Sequence, residues 1–433
     1  MIDTKKLPIA VVGAGPVGLA AAANLVERGL KPLILEAGSR IASSMRSWGH
    51  VRLFTPWSYL IDPPSRRLLE AHTDWRMPDG EDVPHAHELV EQFLDPLAAL
   101  SGIAENLHLD HRVTSIARDG HDRMKNGKRE GAPFLIVADT PRGPSRFFAR
   151  AVIDASGTWT TPNPLGASGV EADGEAEFQD HILYGMPDVL GKEKARYAGR
   201  RTLVVGSGHS AIGSVLHLAK LAESEVGTRV AWAVRKTDPR KLWDGGEADE
   251  ISERGRLGTL VAEAVHSGRV TLLTGFSVRA LKEHGEGGIE VVDVNGVGQV
   301  AVDEIIVAAG SRPDLSMLRE LRLGLDVATE SPSQLGPMID PNFHSCGTVR
   351  PHGYEELQHP EEGFFIAGMK SYGRAPTFLL RTGYEQVRSV VALLADDLEA
   401  ARRVELMLPE TGVCSTDLAF DDGAGGIPAG PCC

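Results

Sequence analysis

An α/β fold with two Rossmann-like dinucleotide-binding units is what this 433-residue sequence predicts. Two glycine-rich fingerprints stand about half the chain apart, Gly13-Ala14-Gly15-Pro16-Val17-Gly18 and Gly206-Ser207-Gly208-His209-Ser210-Ala211. Each follows a short apolar run and opens a stretch of helix formers, the context that gives such a fingerprint meaning. The next strand ends in Glu36 in the first case and in Arg235-Lys236 in the second. A carboxylate there hydrogen-bonds an adenosine ribose 2′-hydroxyl, whereas a basic pair suits a 2′-phosphate. Two different dinucleotides are therefore expected, one like FAD and one like NADPH.

The elements follow in order. Residues 8–12 (PIAVV) read as a buried parallel strand, 19–27 as a helix with Gly29 at its stop, and 32–36 as the next strand. Gly13 serves the tight turn, Gly15 the approach of a pyrophosphate, and Gly18 helix–strand packing at a helix N-terminus that faces phosphate. Residues 41–110 are largely irregular and proline-broken, with 85–100 reading as a helix. Trp48, Phe54, Trp57 and Tyr59 admit two readings, the wall of a pocket or a small satellite core. Residues 106–116 and 134–138 read as strands around a charged, mobile hairpin at 118–131. Residues 151–157 (AVIDASG) form a strand ending in small residues, and 160–164 a hinge.

In the second unit, 201–205 is a strand, 212–221 a helix, and 229–234 the strand that delivers Arg235 and Lys236. Arginine pairs a phosphate as a fork and lysine adds a point charge. Residues 303–310 (DEIIVAAG) are a further strand, followed by Ser311-Arg312-Pro313-Asp314; 364–368 (FFIAG) is the last strand and 381–395 the last helix. The expected domains are an FAD-binding part at 1–160, an NADPH-binding domain at 161–315, a second FAD-binding part at 316–410, and a flexible cysteine-bearing tail at 411–433.

The length implies two or three cores. A formal net charge of -14 disfavours nucleic acid and anionic membranes as partners. No apolar stretch is long enough to span a bilayer. The N-terminal apolar run is too short for a signal peptide, and four cysteines make no disulfide framework, so a cytoplasmic location is expected.

No HExxH motif occurs, and no His, Asp and Glu stand at metal-ligand spacing. His85 and His87 read as surface or first-turn residues. His209, inside the second glycine turn, either contacts the nicotinamide nucleotide or shapes the loop. Arg312 either reaches NADPH across the hinge or forms an exposed ion pair. Arg52 is a candidate partner for an FAD phosphate or a substrate anion. Cys414 with the adjacent Cys432 and Cys433 offers three thiolates, a donor set for a soft ion such as trivalent arsenic or mercury; the other reading is a disordered end with incidental thiols.

The order of Gly13–Gly18 with Glu36, Asp154-Ala155-Ser156-Gly157, Gly206–Ala211 with Arg235, Ala308–Pro313 and Phe364–Gly368 resembles the two-dinucleotide-binding-domain flavoproteins. The architecture so implied is of the flavin monooxygenase and glutathione reductase type, an FAD domain with an inserted NADPH domain. Within that group the chain is similar to NADPH-dependent single-component flavin monooxygenases, through FQDHILY at 178–184, where Asp180 replaces an expected glycine. The stretch GMKSYGRAPTFLLRTGYEQVRSV and the cysteine-bearing tail also resemble flavoproteins of bacterial arsenic-resistance operons.

The resemblance implies an FAD site of Gly13, Gly15, Pro16, Val17, Gly18, Glu36, Ala37, Arg40, Arg52, Val113, Ala155, Gly157, Gly368 and Met369. Val113 takes the position whose backbone meets the adenine, and Met369 stands where related enzymes often have an aspartate. The implied NADPH site is Gly206, Ser207, Gly208, His209, Ser210, Ala211, Arg235, Lys236 and Arg312. Cys346, Cys414, Cys432 and Cys433 are the only cysteines, and none is paired at CxxC or CxxxxC spacing, which argues against a dithiol relay. The family's remaining chemistry is hydride transfer from NADPH to FAD and reaction with O2 through a C4a-hydroperoxyflavin, delivering oxygen to a small soft nucleophile or a carbonyl, a trivalent arsenical among the candidates. Arg52, His209 and Met369 are the catalytic candidates. The alternatives are an NADPH oxidase or reductase without oxygen insertion, and a redox-sensing or metalloid-binding flavoprotein.

Overall fold

The computed structural model describes residues 4–238, 242–243, 252–285, 287–296, 298–344, 349–376 and 378–406. The first unit opens with β1 (Ile9–Val12), buried along its whole length, as an apolar strand between two parallel neighbours must be. α1 (Pro16–Glu27) starts on a proline, whose missing amide hydrogen is no loss in a first turn. β2 (Pro32–Leu35) returns beside β1, with Ile9 opposite Pro32. α2 (Pro63–His72) is capped by the Asp62 carboxylate, which accepts from the Ser65 amide. The expected helix at 85–100 is present as a helical run over 86–98 that contains a π turn at Val90–Leu94.

The single strand expected at 106–116 is divided. β3 (Leu107–His108) joins the parallel sheet, and β4 (Arg112–Arg118) leaves it. The division falls at Asp110, whose φ of 57° lies in the left-handed region that ends a strand. β4, β5 (Phe134–Asp139) and β6 (Ser145–Ala149) form an antiparallel meander, and β7 (Ala151–Asp154) returns to pair with β1.

The second unit repeats the plan. It comprises β8 (Ile182–Tyr184), β9 (Arg201–Val205), α3 (His209–Ser224), β10 (Arg229–Ala233), α4 (Ser252–His266) and β11 (Thr271–Leu273). A second meander of β12 (Val278–Glu283), β13 (Ile289–Asp293) and β14 (Gln299–Val302) precedes β15 (Glu304–Val307). The chain then returns to the first sheet through β16 (Phe364–Ile366) and closes with α5 (Leu380–Leu394). The sheet orders are β16-β7-β1-β2-β3 and β11-β10-β9-β15-β8, every pair parallel.

Each parallel sheet is covered on one face by helices and on the other by its meander. In the first unit Leu19, Leu25, Val387 and Val391 fill the helical side, and Ile116, Phe134 and Ile136 the other. Ala20–Ala23 are buried and small, so α5 lies close against α1. Enlarging one of these alanines would overpack the contact at a cost of about 1–3 kcal/mol. In the second unit Val215, Leu218 and Val261 fill the helical side, and Leu203, Val278 and Val291 the other.

The hairpin expected to be mobile at 118–131 is instead pinned. Arg129, 2% exposed, and Arg118 both donate to the buried Glu361 carboxylate, at 2.6 and 2.8 Å, and the Arg322 amide adds a third donor at 3.0 Å. A carboxylate inserted between two guanidinium groups fixes both, because losing Glu361 would leave two buried cations without an anion. Among the described residues no helix is long and apolar enough to cross a membrane.

Candidate functional site, two cradles and the cavity between them

The first glycine turn sits at the C-terminal end of the sheet, the edge where open parallel sheets take ligands. Gly13 has φ +95°, and a Cβ there would lie 2.8 Å from the Ala155 carbonyl oxygen. No heavy atom lies within 4 Å of a Cβ built at Gly15 or at Gly157, so space is open where a diphosphate would approach the α1 N-terminus. Glu36, at the end of β2, accepts from the Ala14 amide at 2.7 Å and the Gly38 amide at 2.8 Å. Its carboxylate is thereby held beside the turn, with acceptor capacity left for a ribose hydroxyl. Ala37 and Arg40 follow it, and Val113 lies on β4. These residues fit an FAD.

At the far end of the same sheet edge, Gly368 and Met369 open the short turn Gly368–Tyr372 after β16. Two contacts that the sequence did not reveal hold this turn. Lys370, 1% exposed, places Nζ 2.7 Å from Asp154 Oδ2 and 3.0 Å from Ser156 Oγ. This buried ion pair joins the ends of β7 and β16. Gln386 of α5 accepts from the Gly368 amide at 2.8 Å and donates to Ser371 Oγ and to His352 Nε2, each at 2.9 Å. His352 then carries its hydrogen on Nδ1, toward the Arg350 carbonyl at 3.0 Å. Burial holds its pKa below the ordinary imidazole value.

The second turn has the same construction. Gly206, at φ +132°, backs onto the Ala308 carbonyl, and the space at Gly208 is open. The buried Trp232 donates its indole hydrogen to the Gly206 carbonyl at 2.7 Å. The helix expected at 212–221 starts earlier, so His209, Ser210 and Ala211 form the first turn of α3 beside Ser207. Arg235 is exposed just beyond β10, followed by Lys236. The basic pair thus stands at the strand end where the ribose of a dinucleotide would be expected.

Arg312 has partners within the protein. Its Nε donates to Asn163 Oδ1 at 3.0 Å and its Nη2 to the Gly169 carbonyl at 3.1 Å, while Thr161 Oγ1 donates to the Arg312 carbonyl at 2.5 Å. The two segments that cross between the units are joined there, with Nε and Nη2 engaged in that contact.

Between the cradles lies a cavity of about 380 Å³. One wall is Met45, Trp48, Phe54 and Tyr59 of the first unit, another is the α3 face of His209, Ser210, Ser214 and His217, and Phe378–Arg381 close a third. The four aromatics of the irregular region therefore divide: Trp57 is core, and Trp48, Phe54 and Tyr59 line the cavity. Burial lowers the pKa of His50 and of His217, so both rings are neutral near pH 7. Arg52, expected to meet an anion of FAD or substrate, is paired with Glu253 of α4 at 2.9 Å. Among the described residues no group of His, Cys, Asp and Glu could hold a metal. Cys346, Cys414, Cys432 and Cys433 lie outside the described residues.

Two parallel-sheet units in one chain, each with a glycine turn at its ligand edge, define a two-domain dinucleotide-binding flavoprotein. Residues 10–334 match the pyridine nucleotide-disulphide oxidoreductase family, and the chain belongs to that family. It is a flavin-dependent NAD(P)H oxidoreductase whose cofactors are FAD and NADPH. It is 28% identical to a ferredoxin–NADP reductase of Cupriavidus pinatubonensis over 77% of this chain and 80% of that protein. The fold is similar to the bacillithiol disulfide reductase Bdr of Bacillus cereus, with a TM-score of 0.64 at 18% identity over 90% of this chain and 99% of that one. It is also similar to a flavin-containing monooxygenase of Stenotrophomonas maltophilia, with a TM-score of 0.55 at 20% identity over 90% and 99%.

Proposed function

We propose that this protein is an NADPH-dependent FAD monooxygenase acting on a small soft nucleophile. One observation carries the reading: the cavity between the two glycine turns is large enough for a small organic molecule and is walled by aromatic and aliphatic side chains, while the chain's four cysteines include no pair at CxxC or CxxxxC spacing. A disulfide reductase needs a thiol pair at that place, whereas an oxygenase needs a dry chamber.

In this reading Gly13, Gly15, Pro16, Val17 and Gly18 hold the FAD diphosphate at the α1 N-terminus, and Glu36 holds the ribose. Val113 meets the adenine, and Ala155, Gly157, Gly368 and Met369 hold the flavin end. Gly206, Ser207, Gly208, His209, Ser210 and Ala211 hold the NADPH diphosphate, with Arg235 and Lys236 on the 2′-phosphate. FAD supplies hydride acceptance and O2 chemistry. The protein orients the two rings and excludes water with its apolar walls. NADPH gives two electrons, one oxygen atom enters the substrate, and the other leaves as water.

The test is O2 uptake with thioanisole and with arsenite, read together with product mass under ¹⁸O2. The reading expects one ¹⁸O in the product per NADPH consumed. Hydrogen peroxide equal to NADPH consumed, with every substrate unchanged, would overturn it. The ferredoxin–NADP reductase relative favours a second reading, electron transfer to a carrier protein. Faster anaerobic reduction of ferredoxin than of O2 by the same preparation would select that one.

A further inference from the structure

The cavity wall has an uneven charge pattern. At the chain's own composition of 59 Asp and Glu in 433 residues, a wall of this size would carry about three carboxylates. Among the described residues it carries none, yet it includes two arginines. Arg52 is neutralised by Glu253. Arg381, the second residue of α5, lies with its guanidinium carbon 4.8 Å from the centre of the Tyr59 ring, and among the described residues it forms no hydrogen bond or ion pair. A guanidinium stacked on a ring uses its face, which leaves its in-plane N–H fork for a carboxylate. A part-buried cation without an anion is unfavourable, and an incoming anion removes that penalty. His50 and His217 do not compete for it, since burial lowers the pKa of both imidazoles. The rest of the wall is aromatic and aliphatic, with Trp48, Phe54, Tyr59 and Phe378 around the space.

We infer that the cavity takes a small aromatic organic acid, its ring among these four side chains and its carboxylate on Arg381. The inference rests on the reading of this cavity as the substrate chamber, and it places the soft atom to be oxygenated on a carboxylate-bearing molecule.

Binding tests it without turnover. FAD-loaded protein is titrated with 4-(methylthio)benzoate and with the isosteric neutral 4-(methylthio)benzamide, read by calorimetry and by the flavin difference spectrum. The expected result is at least tenfold tighter binding of the acid, a preference lost in Arg381→Gln while the amide still binds as before, which shows an intact cavity. Equal affinity of acid and amide, no binding of either, or a preference that survives Arg381→Gln would overturn the inference. So would displacement of the acid by 2′,5′-ADP, which would assign the arginine to a nucleotide phosphate. An acid that binds as expected but is never oxygenated would sink the monooxygenase reading alone; efficient oxygenation of neutral thioethers with no preference for the acid would sink this one alone.

Discussion

The Phe54 ring lies 5.1 Å from the His209 ring, tilted by 40°, and so joins the irregular loop of the first unit to the second glycine turn. Both residues line the cavity. The contact bridges the two cradles, at the place where the proposed function would bring a nicotinamide ring to a flavin. In Phe54→Ala, FAD content should be unchanged, and stability should fall by only about 1 kcal/mol for a half-buried ring in a contact of this kind. Anaerobic bleaching of the flavin by NADPH should slow by about tenfold or more, since small misplacements of reacting rings are costly. Stopped-flow absorbance checks this, and an unchanged rate would remove the contact from the account.

Arg235 supplies a second expectation. Loss of a charge-assisted hydrogen bond to a phosphate is worth about 1.5–3 kcal/mol, or roughly 10–100-fold in binding. Arg235→Ala should raise the Michaelis constant for NADPH by that factor and leave NADH nearly unchanged. Initial rates with both nucleotides decide it; equal effects would count against the 2′-phosphate role.

The pair of Lys370 and Asp154 predicts a non-additive result. Lys370→Met leaves a buried carboxylate without its cation and should cost about 3–5 kcal/mol. Removing both charges in Lys370→Met with Asp154→Leu should cost less than the single change. Because the pair holds the Gly368–Tyr372 turn, the single variant should also release FAD more readily, by at least about tenfold. Thermal unfolding and flavin fluorescence on dilution measure the two effects.

Asp62 predicts a pH dependence of stability. Burial raises its pKa from the usual carboxylate value of 3.8 to about 7, against the lowering effect of the Ser65 hydrogen bonds. A folded-state pKa above the unfolded one means that the folded chain holds the proton more tightly. The associated stability is full below about pH 4 and is lost as pH rises through 7, a loss on the order of 4 kcal/mol. Asp62→Asn keeps an acceptor for the Ser65 amide and removes the titration. The melting temperature of the wild type should fall relative to that of the variant between pH 4 and 7; parallel curves would refute the assignment.

Much of this architecture is legible in the sequence because it is local. Each glycine turn, its strand and its helix lie within some 30 consecutive residues, and Glu36 and Arg235 stand at the strand-end position where a ribose-binding residue is expected. What the sequence hides is held by distant partners. Lys370 and Asp154 are 216 residues apart, and nothing beside either one marks the other. Arg129 sits in a run of charge that reads as solvated until Glu361 is found against it. The break at Asp110 depends on its amide reaching the Gly38 carbonyl at 2.9 Å, a tertiary contact that overrides strand propensity. Arg381 carries no local signal, since only the folded chain shows that, among the described residues, the cavity wall around it has no carboxylate.

The most direct test of the two-cradle arrangement is the absorption spectrum of purified, FAD-reconstituted protein titrated with NADPH in the absence of air. The account expects a flavin band that bleaches with one equivalent of NADPH and returns when O2 is admitted. Protein that remains colourless after reconstitution, or a flavin band that NADPH does not bleach, would contradict it.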